Sequence, residues 1–508
     1  MNRPPPVPVR PAAGLRSAFA QMFAGGVLGK ALGFVREIAL AASFGTGPAA
    51  AAFRAAQTAT TIPTHYFSAD TLNGGFIPLC TRYLREDPQR ARTLFWSVLL
   101  LMSGIGLAIA SLLFAGASLW TALLVPGLND ADRALTAGML RAMAVGVPFY
   151  VIASLTSYVE MASGRYFIGA VRAAVQNVGL IAGIGAAAHT GNPLWLGRGF
   201  AIYAVLFAAV GLSSVVRCGL AGLPARWDWV EARSVLREFT GIVRPLMLLP
   251  LVQLGALAVE RVVASFHGAG AIASLDYART IAETGLALLA VPLGMAGLSE
   301  LSRTGPDALR ARLERLLPAV LLVTVPISIF LALNAGAIVR VLFARGRFGE
   351  DSVALTSLIL LGFAVGFWAQ VGGHVLARAM VAGSRNREVA RVAAIASCVH
   401  IAVNLVAFRA LGPLALGLAA SASALVLLGL CVRALGLGRV FARSLAPLAG
   451  GALLYLPIGL ALRGDALPAL LVSGAACVLC WLAVVQLAPG LRAVAADLAR
   501  RPALGRVR

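Results

Sequence analysis

The sequence predicts an all-helical protein that crosses a membrane fourteen times. Of its 508 residues, 59% are hydrophobic and only 13% are charged, whereas soluble domains carry about 25% charged residues. The apolar runs repeatedly reach the roughly 20 residues that a helix needs to span a bilayer. Basic residues fall mainly in alternate connections between these runs. Together these observations indicate a polytopic helical membrane protein.

The predicted spans follow one another with short connections, and proline residues inside them indicate kinks. Several spans exceed the minimal length, which indicates tilt or a helical extension. In chain order, the fourteen apolar segments are residues 16–43, 49–80, 93–125, 132–162, 166–188, 196–219, 236–266, 270–300, 315–340, 352–382, 388–408, 413–436, 442–462 and 467–489.

The charge distribution predicts the orientation. With a cytoplasmic N-terminus, the cytoplasmic loops and both tails contain 27 Lys and Arg residues, and the opposite loops contain 6. This asymmetry is typical of the positive-inside rule. The formal net charge of +22 is therefore interpreted as topology and contact with anionic lipids, not with nucleic acid. We expect both termini to lie in the cytoplasm.

The segments outside the spans are too short to form a soluble catalytic domain, so we expect a transporter without catalytic residues. Residues 1–13 form a basic, proline-rich arm that is predicted to be disordered, and residues 491–508 form a basic tail. Cys477 and Cys480 have CxxC spacing, but their apolar helix favours buried small side chains. The histidines lack metal-ligand spacing, so no metal site is expected.

The first span contains glycines at a four-residue spacing, within the sequence GGVLGK. Gly25, Gly29 and Gly33 favour close packing against another helix, and a bend of the first helix is the functional alternative. The stretch does not fit a phosphate-binding loop, because its spacing is too short and Ala31 occupies the position of the required Ser or Thr. No ATP-driven pump is indicated.

A weak internal repeat relates the two halves of the chain. MASGRYFIGAVRAA at 161–174 resembles MVAGSRNREVARVAA at 380–394, with an offset of 219 residues. Both segments lie on the predicted cytoplasmic side. An offset of six spans preserves orientation, so the pattern predicts two bundles related by an axis along the membrane normal, with the cargo site at their interface.

Ionisable side chains inside the first two spans indicate a transport path, because each costs roughly 2.5–3.5 kcal/mol in hydrocarbon. Such groups must face a wet cavity or a partner. An Arg36–Glu37 structural ion pair is the alternative interpretation for part of this group. The candidate cargo-contacting residues in this stretch are Lys30, Arg36, Arg54, His65 and Asp70.

A second polar cluster lies on the seventh, eighth and tenth predicted spans. The alternative to a role in cargo contact is a structural one for each group: a Glu260–Arg261 ion pair, an Arg279–Glu283 ion pair and a buried core histidine at position 374. A net cationic cavity suits a pyrophosphate, because arginine binds phosphate oxygens through two parallel hydrogen bonds. The candidate residues here are Arg261, Arg279, Glu283, His374 and Arg378.

Several stretches resemble the MurJ/MviN lipid II flippases, a family of the multidrug/oligosaccharidyl-lipid/polysaccharide exporter superfamily. GKALGFVREIALAASFG and FSADTLNGGFIPLCTRYLRE are similar to the opening of these proteins. DYARTIAETGLALLAVPLGMAGLSELSR is similar to their eighth span, and LFARGRFGEDSVALTS with VLARAMVAGSRNREVARVAAIASCVHIAVNLVAF is similar to their tenth and eleventh. The resemblance follows chain order over nearly the whole sequence.

The resemblance implies two six-helix lobes in a V plus two C-terminal helices. On this chain the expected lobes are residues 14–219 and 220–436, and the extra helices are residues 437–490. It also implies transfer of an undecaprenyl-pyrophosphate-linked peptidoglycan precursor from the inner to the outer leaflet by alternating access. Coupling to the membrane potential or a monovalent ion is implied, with no other cofactor. Arg36 matches a cavity arginine of the family, and Glu283 matches a family glutamate.

Departures from the family pattern keep alternatives open. Ala51 replaces an aspartate, Thr64 and His65 replace two arginines, and Thr280 replaces an arginine that appears one position earlier as Arg279. One alternative is a flippase for another polyprenyl-linked oligosaccharide, and another is a membrane scaffold that recruits cell-wall synthesis proteins. The expected partners are a lipid-linked glycan and membrane lipids, and the expected state is a monomer.

Overall fold

The structure is a computed structural model that describes residues 15–68, 70–223, 227–244, 247–298 and 306–500. The described residues form helices and contain no strand. The all-helical prediction is therefore confirmed. The N-terminal arm at 1–13 and the last residues of the C-terminal tail lie outside the described residues.

Contacts between Cα atoms divide the chain into two units, residues 1–269 and 270–508. The first unit contains eleven of the described helices: α1 Leu15–Phe44, α2 Pro48–Ser68, α3 Asp70–Glu86, α4 Pro88–Ala115, α5 Ala117–Leu124, α6 Asp130–Ala144, α7 Val147–Ala162, α8 Phe167–Thr190, α9 Leu194–Arg217, α10 Trp229–Val243 and α11 Leu248–Phe266.

The second unit contains nine of the described helices, the first of which begins one residue before the division. These are α12 Ala269–Leu298, α13 Pro306–Leu333, α14 Ala335–Phe343, α15 Glu350–Ala382, α16 Asn386–Leu411, α17 Leu414–Ala434, α18 Gly438–Ala461, α19 Leu467–Leu487 and α20 Pro489–Arg500.

Each of the fourteen predicted spans corresponds to one helix or to two consecutive helices. Among the described residues, nine helices are long and apolar enough to cross a membrane, and the bent pair α6 and α7 would make a tenth. That pair bends by 46° just before Pro148, one of the prolines inside the predicted spans. The polytopic class is thus confirmed, and the exact number of fourteen crossings stays a prediction.

The first unit packs around two clusters of buried apolar side chains. One cluster joins α1, α2, α6, α8 and α9 and includes Phe53, Met139 and Tyr203. The other joins α3, α4, α7 and α10 and includes Phe95 and Phe239. Helix α11 belongs to this unit, because it packs against α2 and α5 and Ser265 Oγ accepts a hydrogen bond of 3.0 Å from the Gly127 amide.

The contact division differs from the boundary expected between the lobes. The expected boundary at 219/220 assigned the seventh span to the C-terminal lobe, whereas α10 and α11 contact the N-terminal unit. The expected lobes were defined by counting spans and not by contacts, so they stay a prediction about topology.

The second unit has its main core between α13, α15, α17, α18 and α19. Helices α15 and α17 approach closely at Gly362, where a Cβ atom would lie 2.8 Å from the Leu414 carbonyl oxygen. Ser421 joins the same pair, since its hydroxyl donates to the Gly362 carbonyl at 2.5 Å and accepts from the Gly366 amide at 2.8 Å. Cys477 and Cys480 are buried in this core, as predicted from their apolar surroundings.

The internal repeat is visible as two matching helix ends, but its register differs by one residue from the sequence match. The Arg165 amide donates to the Glu160 carbonyl at 3.0 Å, and the Arg385 amide donates to the Met380 carbonyl at 2.9 Å. These bonds are 220 residues apart, whereas α8 and α16 begin 219 residues apart. The predicted offset of 219 is correct for the starts of α8 and α16 and wrong for the turns before them. The reason is that the connection between α15 and α16 is one residue shorter than the connection between α7 and α8.

Candidate substrate site

A buried ion triad joins the first two helices. Glu37 on α1 is fully buried, and its two carboxylate oxygens accept hydrogen bonds from Arg36 and from Arg54 on α2. The side chain of Arg54 is 4% exposed and that of Arg36 is 15% exposed. The triad therefore carries a net positive charge, and Arg36 is its most accessible member. The predicted Arg36–Glu37 pair is confirmed, with Arg54 as a second partner.

Asn177 on α8 fixes the orientation of Arg36. Arg36 Nη1 donates to Asn177 Oδ1 at 2.9 Å, and Asn177 Nδ2 donates to the Gly29 carbonyl oxygen at 2.9 Å. The amide thus bridges the arginine and the backbone of the helix that carries it. Asn177 could not be identified from the sequence, because a single asparagine in an apolar span does not indicate which helix it contacts.

The glycine spacing of α1 explains how Asn177 reaches this position. A Cβ atom at Gly25 would lie 2.4 Å from the Ala170 carbonyl oxygen, and one at Gly29 would lie 2.5 Å from the Ala173 Cβ. Such distances are too short for any side chain, so the two backbones can approach only through glycine. The prediction of close packing is confirmed, with α8 as the partner.

The structure separates Lys30 from the triad. Lys30 is exposed on α1, whereas Glu37 and Arg54 are buried. Its position six residues before Arg36 places the two side chains about 120° apart around the helix. Arg54 also contacts Gln57 on its own helix, at 3.5 Å between Nη1 and Oε1. These two residues therefore lie on the same face of α2.

The end of α2 carries a second polar contact. His65 is exposed, and its ring stacks against Tyr150 of α7 with centroids 6.5 Å apart. The distance between Tyr150 Oη and His65 Nε2 is 3.4 Å. Asp70 is the first residue of α3, but its side chain lies outside the described part of the chain.

The remaining candidate of the first unit lies on α11. Glu260 and Arg261 are each 2% exposed, and α11 packs against α2. This burial is consistent with the structural interpretation of these two neighbouring charges.

The other four candidates belong to the second unit. On α12, Arg279 is half-buried and Glu283 is exposed. On α15, His374 and Arg378 are exposed one helical turn apart, while Val375 and Ala379 beside them are buried. The alternative of a buried core histidine at position 374 is therefore wrong, because the ring lies on an uncovered face. The described residues contain no group of His, Cys, Asp and Glu side chains that could hold a metal ion.

Comparison with known sequences gives consistent relationships. A sequence profile of the family described as lipid II flippase MurJ matches residues 40–462. A probable lipid II flippase MurJ of Rhizobium tropici is 28% identical over 420 residues, which cover 78% of this chain and 76% of that protein. The lipid II flippase MurJ of Burkholderia cenocepacia is 25% identical over 353 residues, covering 67% of this chain and 68% of its own.

Solved structures share the fold. A lipid II flippase MurJ in an inward closed conformation has a TM-score of 0.81 at 18% identity and covers 92% of this chain and 98% of its own. An inward-facing multidrug transporter of the MATE family has a TM-score of 0.63 at 14% identity and covers 85% of this chain and 98% of its own. Because the family profile matches far more than half of the sequence, this chain belongs to the MurJ family of membrane transporters.

Proposed function

We propose that this chain is a lipid II flippase, which moves the undecaprenyl-pyrophosphate-linked peptidoglycan precursor from the inner to the outer leaflet by alternating access. The observation that carries the proposal is the match of the lipid II flippase family to residues 40–462. The spanning helices and the net positive triad on α1 and α2 support it, because the cargo is a lipid with a pyrophosphate.

In this proposal, Arg36 contacts the pyrophosphate and the other triad members position it. A guanidinium group has five N–H donors, and Arg36 uses one for Asn177 and one for Glu37. Its partial exposure makes it the triad member that a ligand can reach. Arg54 offsets the charge of Glu37, so Arg36 remains positive toward the cargo. A planar guanidinium also offers phosphate oxygens two parallel donors.

The remaining candidates are assigned roles within the same proposal. Lys30, His65 and Asp70 on the first unit and Arg261 on α11 would contribute to the polar path, together with four residues of the second unit. Those four are Arg279, Glu283, His374 and Arg378. The driving force would be the membrane potential or a monovalent cation, without another cofactor. The chain would act as a monomer in the bacterial inner membrane, with both termini in the cytoplasm.

The proposal is tested by complementation of a bacterium whose own lipid II flippase is depleted. We expect the wild-type chain to restore growth and to prevent accumulation of lipid II in the inner leaflet. The variant Arg36→Gln should reach the membrane and fail, whereas Arg36→Lys should retain part of the activity, because it keeps the charge and loses the planar fork. The matched control is Arg409→Gln, an exposed arginine at the end of α16.

Two results would contradict the proposal. Loss of a surface polysaccharide without any change in lipid II would indicate a flippase for another polyprenyl-linked oligosaccharide. Full complementation by a correctly inserted Arg36→Gln variant that does not transport lipid II in vesicles would indicate a scaffold.

A further inference from the structure

A groove of about 500 Å³ opens on the surface of the first unit, away from the arginine triad. It lies between α4, α6 and α9, at the end where α4 finishes and α9 begins. Its lining is almost entirely apolar, apart from the side chains of Arg141 and Arg198. On the predicted topology, this end faces the outer leaflet.

Small residues create the groove by allowing α6 and α9 to approach closely. A Cβ atom at Gly197 would lie 2.8 Å from the Met139 carbonyl oxygen and 3.1 Å from the Ala142 Cβ. A Cβ atom at Gly138 would lie 3.2 Å from Leu194 Cδ2. Gly138 and Ala142 form the floor of the groove, and the larger side chains of Phe114 and Ile202 also line it.

The groove is continuous with a surface that suits lipid chains. Phe114 is 51% exposed and Ile202 is 45% exposed. Farther along the same helices, Leu107 of α4 and Leu206 of α9 are 62% and 53% exposed. Both helices are long and apolar enough to span a membrane. An exposed apolar face of a spanning helix lies against the bilayer, so the occupant of the groove must come from the lipid phase.

The two arginines lack the carboxylates that would neutralise them. Arg198 lies over the ring of Trp195, at 4.9 Å from the centroid, and Arg141 makes one long hydrogen bond of 3.4 Å to Ser118 Oγ. The described residues place no carboxylate within 4.0 Å of either guanidinium group.

We propose that this groove binds an anionic glycerophospholipid, with its phosphate held by Arg141 and Arg198 and an acyl chain along the apolar floor. Guanidinium groups match phosphate oxygens in geometry and charge. Tryptophan is enriched at the depth of the headgroups, where Trp195 would place the phosphate. An anionic lipid is favoured over a zwitterionic one, because the groove has positive charges and offers no carboxylate to a choline or ethanolamine group.

The experiment measures lipid binding to the purified full-length chain by native mass spectrometry, with added phosphatidylglycerol or phosphatidylcholine. We expect phosphatidylglycerol to bind about tenfold more tightly than phosphatidylcholine, which corresponds to about 1.4 kcal/mol. Both lipids offer a phosphate to the arginines, but only phosphatidylcholine brings a positive charge that the groove cannot neutralise. The double variant Arg141→Gln/Arg198→Gln should lose this preference. It should still support growth in the flippase assay, because neither residue belongs to the proposed cargo site.

The matched control is Arg133→Gln/Arg409→Gln, which removes the same charge from the same predicted side of the membrane and leaves the groove intact. It should bind phosphatidylglycerol like the wild type. Ala142→Leu, which fills the floor and keeps both arginines, should weaken the binding of both lipids. This variant keeps the proposal testable if the double arginine variant does not fold.

Three results would overturn the proposal. The wild type would bind both lipids equally, or the folded double variant would keep its preference for phosphatidylglycerol. The third result would be that undecaprenyl pyrophosphate binds the groove more tightly than phosphatidylglycerol and displaces it. That result would identify the groove as part of the cargo path. The lipid-binding readout is independent of transport, so failure of the proposed flippase function leaves this test unaffected.

Discussion

A carboxylate that is removed from water needs hydrogen bonds that offset its lost hydration. Glu37 has no exposed surface, and both of its oxygens accept bonds from arginine. Because it joins α1 to α2 and orients Arg36, this single residue links the packing of two helices to the proposed recognition of phosphate.

The first prediction concerns this shared carboxylate. We expect Glu37→Gln to destabilise the protein by about 3–5 kcal/mol, the usual cost of removing one partner from a buried ion pair. Arg36→Gln should cost less, because Arg36 lies at the edge of the cluster. Thermal unfolding of the purified variants, followed by size-exclusion chromatography, would measure the difference. Equal melting temperatures for Glu37→Gln and wild type would contradict the structural role of Glu37.

The sequence identified the charged members of this cluster, since ionisable residues stand out in an apolar span. It also gave the Arg36–Glu37 pair, because the residues are adjacent. Arg54 as the second partner and Asn177 as the bridge could not be predicted, because these contacts depend on which helices are neighbours. Sequence spacing gives the face of a residue on its own helix but not the residue opposite.

At the scale of helices, the contact of α1 with α8 depends on the absence of side chains at two positions of α1. Gly29 lies against Ala173, whereas a Cβ atom at Gly26 would have no heavy atom within 4 Å. Gly26 and Gly29 are three residues apart in one helix and differ in their surroundings. They therefore form a natural comparison between packing and helix propensity.

We expect Gly29→Ala to destabilise the protein by about 1–3 kcal/mol through overpacking. Gly26→Ala should be neutral or stabilise it, because alanine favours the helix by up to about 1 kcal/mol over glycine. Melting temperatures and complementation would both be measured. If Gly29→Ala and Gly26→Ala behaved alike, the close α1–α8 contact would be refuted.

The repeated turns after α7 and α15 offer a second comparison. Gly164 has a φ of 73° and Ser384 has a φ of 60°, so both lie in the left-handed region, which costs L-residues roughly 1–2 kcal/mol. We expect Ser384→Gly to stabilise the second unit and Gly164→Ser to destabilise the first. Unfolding in denaturant would test both signs, and a destabilised Ser384→Gly variant would argue against the turn.

Helix α10 has 15 residues, too few to span a membrane alone, and it is attached to α3 by a carboxylate that should respond to acid. Tyr83 Oη donates to Glu238 Oε2 at 2.5 Å, and Arg82 donates to the other oxygen. The Tyr83 hydrogen bond and then the Arg82 bond hold the pKa of Glu238 below its ordinary value near 4.5. The stabilisation is thus present above that value and is lost as the pH falls below it.

Accordingly, we expect α10 to lose protection against hydrogen exchange when the pH is lowered from about 6.5 to about 4, after correction for the intrinsic rate. Glu238→Gln should show weaker protection at both values, with little change between them. Protection of the wild-type helix that stays constant over this range would contradict the proposed attachment.

The positions of the helices followed from hydropathy, since each predicted span corresponds to one or two of the described helices. The breaks within the predicted spans could not be predicted from hydropathy. The predicted span 93–125 is divided between α4 and α5 at Gly116, inside an apolar run that gives no polar signal. The turns of the repeat were misaligned for a related reason. The sequence match pairs Met161 with Met380, whereas the carbonyl groups that accept the equivalent hydrogen bonds belong to Glu160 and Met380.

At the scale of the whole chain, the candidate residues are divided between two units. Arg36, Arg54 and His65 lie in the first unit, and Arg279 and His374 lie in the second. Sequence-derived topology put Arg261 in the C-terminal lobe, yet its helix packs with the N-terminal unit. Hydropathy and loop charge predict the order and orientation of spans, but they do not predict which bundle a helix joins.

The last prediction concerns the number of crossings, which the distribution of basic residues gives as fourteen. Helices α18 and α19 are apolar and long enough to span, and Arg463 lies between them. If both cross, alkaline phosphatase fused after Gly464 is exported and active, whereas the same enzyme fused after Gly490 stays in the cytoplasm and is inactive. Fusions in the loop at Arg347 and in the turn at Arg385 serve as the exported and cytoplasmic controls. Activity at Gly490 would mean an odd number of crossings before that point and would place the basic tail outside. The positive-inside rule makes that orientation unfavourable for a tail so rich in arginine.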